Sequence, residues 1–121
     1  MISTLDYLYY VDVALGGMTG IVAGLGDELA NRRPEVPGVN APYAILTHCI
    51  GVMEYWGGQV IAVRAITRDR DAEFVARGEV RARDAETPMA RTQGGAALHI
   101  YEELAQHHGQ MELTRDLLRA G

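Results

Sequence analysis

The sequence predicts an all-α fold, and three observations predict it. Apolar residues recur at alternating steps of three and four over long stretches near both ends of the chain. The alternation of β-branched and polar residues that marks a strand is missing. Three of the 4 prolines fall together in residues 32–42, a loop and the first turn after it, and none falls in the interior of a helical stretch. At 121 residues the chain fits a single helical domain, 1–121.

The first helix is carried by Leu8, Val11, Leu15, Met18, Val22, Leu25 and Leu29, all on one face. Ser3 or Thr4 is placed to cap its start. Gly16, Gly20 and Gly24 fall four apart on another face. Each weakens a helix by about 1 kcal/mol against Ala. Together they make a bare surface on which another helix, or another chain, is expected to lie.

Residues 32–42 read as a loop. Asn40 is expected to cap a second helix over 41–66, with Pro42 in its first turn. Leu46, Cys49, Met53, Trp56, Val60 and Val63 form its apolar stripe, and His48, Val52 and Tyr55 lie on the neighbouring one. Gly57 and Gly58 mark a kink or close packing; with no strand before them they are not a phosphate loop.

Residues 67–91 are rich in Arg, Asp and Glu and poor in apolar side chains. A short helix over 71–77 would carry Phe74, and 79–83 is a further helical stretch with little to bury, closed by Pro88. Arg68, Arg70 and Arg77 among the acids read as a solvated face. Gly94 and Gly95 open a last helix over 93–119.

Composition narrows the class. The chain is 48% hydrophobic and 22% charged, an ordinary globular balance. Its formal net charge is -5, and every basic residue is Arg. A mildly acidic chain without a basic cluster argues against nucleic acid. No uninterrupted apolar run approaches ~18–20 residues, so no membrane span is expected. The first residues lack the basic and apolar regions of a signal peptide. The lone Cys49 excludes an intramolecular disulfide and suits a reducing compartment, so a cytoplasmic location is expected.

The chemistry lies with the histidines. Of the 4, His99, His107 and His108 fall in the last helix, and His48 alone falls outside it. His99, Glu103 and His107 are spaced four apart on one face. They cannot all share an ion, because eight helical residues rise about 12 Å while ligand atoms sit about 2.0–2.2 Å from a zinc-like metal. An ion must take one adjacent pair and a third ligand from elsewhere, for which His48 is the natural source. The stripe Ala96, Ile100, Glu103, His107, Gln110, Thr114 and Leu117 is apolar at its ends and polar in the middle. A carboxylate and an imidazole turned inward need partners, and a shared metal satisfies both. This selects Glu103 with His107 and leaves His99 beside the pocket. A Glu and His at this spacing are also common as a surface hydrogen bond, so spacing alone leaves both readings open. Cys49, next to His48 but pointing about 100° away, reads as a core cysteine.

The segments LTHCIGVMEYW (46–56) and YEELAQHHGQ (101–110) resemble the two signature helices of the DinB-like superfamily. The resemblance points to the branch related to mycothiol-dependent enzymes such as maleylpyruvate isomerase. It implies an up-and-down four-helix bundle with a divalent metal, Zn2+ or Ni2+, held by His48, Glu103 and His107. Gly109 and Gln110 match the end of the last motif. It further implies a thiol-dependent transferase or isomerase with mycothiol as cosubstrate, and Tyr55, Trp56 and His99 are placed to line its pocket. The stretch between the two motifs is about 30 residues shorter than is usual for the family. The third helix is therefore expected to be short or missing, and a homodimer is expected to complete the bundle. The shortened middle equally suits a non-catalytic metal-binding or interaction protein.

Overall fold

The computed structural model describes residues 2–78 and 94–121, with the backbone alone for 94–96, 98 and 99. The described residues are helical, with no strand among them. The expected helix over 79–83 and its stop at Pro88 lie outside the described residues.

Helix α1, Thr4–Ala30, begins with a reciprocal cap. The Asp6 N–H donates to Ser3 Oγ at 3.0 Å, and the Ser3 N–H donates back to Asp6 Oδ2 at 3.3 Å. Gly26, at φ 75° and ψ 176°, breaks the helix one turn before its end, a conformation open to glycine and costly for other residues. Val11, Leu15, Met18, Val22 and Leu25 are buried as the periodicity predicts, joined by Ala14 and Ile21. By length and composition α1 could cross a membrane, with a mean hydropathy of 1.4. The same apolar face forms the larger part of the protein's core. On the glycine face, nothing among the described residues lies within 4 Å of a side chain placed at Gly16 or Gly20, while Gly24 meets Arg119 of the last helix at 3.8 Å. Gly17, one position on from Gly16, takes the closer neighbour, the His108 ring of the last helix.

Helix α2 is Pro42–Met53. Ala41, not Asn40, occupies its N-cap, without a side-chain hydrogen bond. Asn40 Oδ1 instead accepts from Arg33 Nη2 at 2.6 Å, tying the loop to itself. The expected helix to residue 66 stops early. It continues from α2 as a π-helical segment, Glu54–Ile61, in which the Ala62 N–H reaches back five residues to the Gly57 carbonyl at 3.0 Å. Gly57 and Gly58 are buried there, and a side chain at Gly58 would press on Ile66 at 3.1 Å. The wider turn rotates the later residues off the α-helical stripe. Ile61 is therefore buried, whereas Val63, expected inside, is 85% exposed and sits at φ 55° where the chain leaves the helix.

After this reversal the chain forms α3, Arg70–Phe74, capped by Asp69, whose Oδ1 accepts from the Ala72 N–H at 3.0 Å. Residues 62–78 thus make a strap across α2. Its far end is fixed by Asn31, whose side-chain amide donates to the Gly78 carbonyl at 2.8 Å and accepts from the Gly78 N–H at 2.9 Å.

Helix α4 is described over Gly94–Ala120. Ile100, Leu104, Met111, Thr114 and Leu118 are buried, while Leu117 is 48% exposed, so the inward stripe lies one residue round from the expected one at that end. The Tyr7 hydroxyl donates to the Ala97 carbonyl, and Gly17 lies under His108, so α1 and α4 run parallel. His48 facing His107 and Gly57 facing Ile100 set α2 antiparallel to α4. The core lies where the three long helices meet. Truncating a fully buried residue such as Leu104 to Ala costs about 2–5 kcal/mol.

Candidate metal centre

The antiparallel α2 and α4 bring His48, Glu103 and His107 together. Each offers one ligand atom, and these atoms lie within 4.8 Å of one another. Glu103 Oε2 stands between the rings, 3.6 Å from His48 Nε2 and 3.5 Å from His107 Nε2. The imidazoles meet edge to face, with centroids 5.0 Å apart. A donor set of two imidazole nitrogens and one carboxylate oxygen suits zinc-like divalent ions, and three protein ligands leave a position open. The residues present could hold a metal ion.

Each ring is held by its other nitrogen. His107 Nδ1 lies 2.8 Å from Gln110 Oε1, one turn along α4. His48 Nδ1 lies 3.2 Å from Oε1 of Glu73, which comes from α3 in the strap. Glu73 is itself gripped by Arg68, which donates from Nε at 3.0 Å to Oε2 and from Nη2 at 2.8 Å to Oε1. Phe74 stacks on the His48 ring with centroids 4.4 Å apart. His48 is 3% exposed, and burial pushes its pKa down, against the pull of Glu73 in the other direction. Burial thus favours the neutral ring, the form that ligates metals.

Glu73 and its grip on His48 are absent from the sequence reading. Arg68, expected on a solvated face, is one of the better-covered arginines, at 18% side-chain exposure; Arg70 and Arg77 are exposed as expected. One signal was available. Gly51 lies three residues after His48 on the same helical face, and the Glu73 carboxylate occupies the space a side chain there would need. A bare position beside a candidate ligand marks the approach of another group.

The remaining sequence candidates are placed unevenly. Tyr55 reaches towards the site, with the Arg68 guanidinium 5.8 Å from its ring centre. Trp56 stands edge-on to Tyr55 and packs against the core. The His99 side chain lies outside the described residues. Cys49 is fully buried, and burial pushes its thiol up to about 12, which rules out a ready nucleophile at neutral pH. Two surface hollows, of about 350 Å³ beside Gly17 and His108 and about 400 Å³ around Val63 and Ile66, are lined by none of the three candidate ligands.

No family model, curated protein or solved structure matches the chain.

Proposed function

We propose that the protein binds one divalent metal ion, Zn2+ or Ni2+, through His48, Glu103 and His107, as a DinB-like helical protein. We read it further as a metal-dependent transferase or isomerase acting with a low-molecular-weight thiol such as mycothiol. The observation that carries the proposal is the approach of three ligand atoms from two helices to within 4.8 Å, with both imidazoles held at Nδ1 and turned by Nε2 towards one carboxylate. When bound, the ion supplies Lewis acidity to a thiol or water in its open position. His48 and His107 offer nitrogen lone pairs, and Glu103 lowers the net charge of the centre. On this reading Tyr55 and Trp56, in the segment that follows α2, would line the substrate pocket. His99, one turn before Glu103, is its candidate wall on α4.

A cytoplasmic location and a homodimer belong to the same proposal. Tyr9, Tyr10 and Val13 on α1 and Leu113 on α4 are each more than half exposed. A second copy would cover exposed apolar side chains of this kind.

A non-catalytic metal-binding role is the second reading, favoured by how little of the His48 ring reaches solvent. One experiment separates the two. The purified chain is saturated with Zn2+ or Ni2+, freed of excess, and assayed by elemental analysis and for conjugation of mycothiol to an electrophile. Uptake of one ion per chain with metal-dependent thiol consumption supports the enzyme. Uptake without thiol consumption supports the second reading, and absence of uptake removes both.

A further inference from the structure

We infer that Glu73 is a positioning residue for the metal centre: by accepting from Nδ1 of His48 it selects the imidazole tautomer whose Nε2 lone pair faces Glu103 and His107. The inference rests on the metal reading and adds to it a residue from outside the two helices that carry the ligands.

Geometry ranks the ring's partners, with Glu73 the nearest. Glu73 Oε1 lies 3.2 Å from His48 Nδ1, whereas Glu103 Oε2 lies 3.6 Å from Nε2. The first is at hydrogen-bond distance and the second is beyond it. A carboxylate only accepts, so the proton between Glu73 and the ring sits on Nδ1. Arg68 holds Glu73 in that position through both carboxylate oxygens. Partners of this kind fix a ligating histidine's tautomer and orientation, and their loss lowers metal affinity by about 10–100-fold.

Arg68 gives the arrangement a second consequence. Its Nη2 lies 3.5 Å from His48 Nδ1, farther than Glu73 Oε1 at 3.2 Å, and gives its shorter bond, 2.8 Å, to Glu73. Without Glu73, the guanidinium becomes a donor facing Nδ1. It then favours the opposite tautomer, with the proton on Nε2 where the lone pair is needed. Arg68 thus supports the site only in company with Glu73 and opposes it alone.

Gly51 makes the carboxylate's position possible. Glu73 fills the volume of the missing Gly51 side chain, so Gly51→Ala must displace it. The same substitution favours the helix by about 1 kcal/mol, which separates loss of the carboxylate from loss of the helix.

The test uses the full chain and two readouts. In the metal-free wild type, a long-range proton–nitrogen NMR correlation spectrum above neutral pH should show His48 protonated at Nδ1. Competition titration with Zn2+ should then show affinity lowered by about 10–100-fold in Glu73→Ala and in Gly51→Ala. Adding Arg68→Ala to Glu73→Ala should restore part of that loss, which a merely structural role for Glu73 would not give. An Nε2-protonated His48 in the wild type overturns the inference without any metal. Unchanged Zn2+ affinity in a folded Gly51→Ala overturns it with metal uptake intact. A wild-type chain that takes up no Zn2+ defeats the metal reading itself, and with it the role assigned to Glu73.

Discussion

The two histidines of the candidate centre are held by opposite means. His107 is supported from within its own helix by Gln110, three residues away. His48 is supported by Glu73, twenty-five residues away, on a strap that reverses direction, crosses α2 and is pinned at its far end to α1. The first arrangement follows from helical periodicity. The second exists only once the chain has folded back, and it depends on a glycine's bare surface and on a part-buried ion pair. A site built this way is only as well organised as its remote half.

The largest effect that would break this comparison lies at the ligands. His48→Ala and His107→Ala should each abolish stoichiometric Zn2+ uptake by elemental analysis, while His99→Ala leaves it intact. Retention by either of the first two variants would mean that the centre is not built from both helices.

The comparison is sharpened one step out from the ligands. Gln110→Ala should weaken Zn2+ binding by about tenfold, the lower end of the range for such partners. Gln110 is a neutral acceptor at a half-buried position, whereas Glu73 is a buried carboxylate, and charge-assisted hydrogen bonds are about twice as strong. A larger loss in Gln110→Ala than in Glu73→Ala, measured by the same titration, would reverse the ranking of the two supports.

The smallest effect is on pH dependence in the metal-free protein. Burial lowers the His48 pKa below its ordinary 6.5, with Glu73 and Arg68 facing the ring from the strap and His107 and Glu103 from α4. The unfolded chain then binds a proton that the folded chain resists. The resulting stability is fully present above 6.5 and is lost as pH falls through the folded-state value. Urea midpoints should therefore fall on acidification, and fall less in His48→Gln, which has no proton to take up. An equal fall in both would assign the pH dependence to other groups.

The same contrast explains what could be read from the sequence. The buried face of α1 and the short helix at Phe74 follow from local spacing, whereas α2 turns Ile45, His48, Cys49 and Val52 inward and leaves the expected Leu46 and Met53 half-buried. The meeting of His48, Glu103 and His107 also follows from spacing, because each lies on a helix face turned inward. Val63 was misplaced because the turn widens at Gly57 and Gly58, and a periodicity of 3.6 no longer applies beyond it. Arg68 and Glu73 were hidden for another reason. In a polar stretch a part-buried ion pair looks like any solvated charge, since its burial is decided by what the strap crosses and not by its own neighbours.

The central claim is that two imidazoles and one carboxylate share an ion. The most direct measurement is the zinc X-ray absorption fine structure of the loaded protein. The account predicts a shell of nitrogen and oxygen at about 2.0–2.2 Å with the outer-shell pattern of two histidine rings. A sulfur shell at about 2.3 Å, or a shell without imidazole, would contradict it.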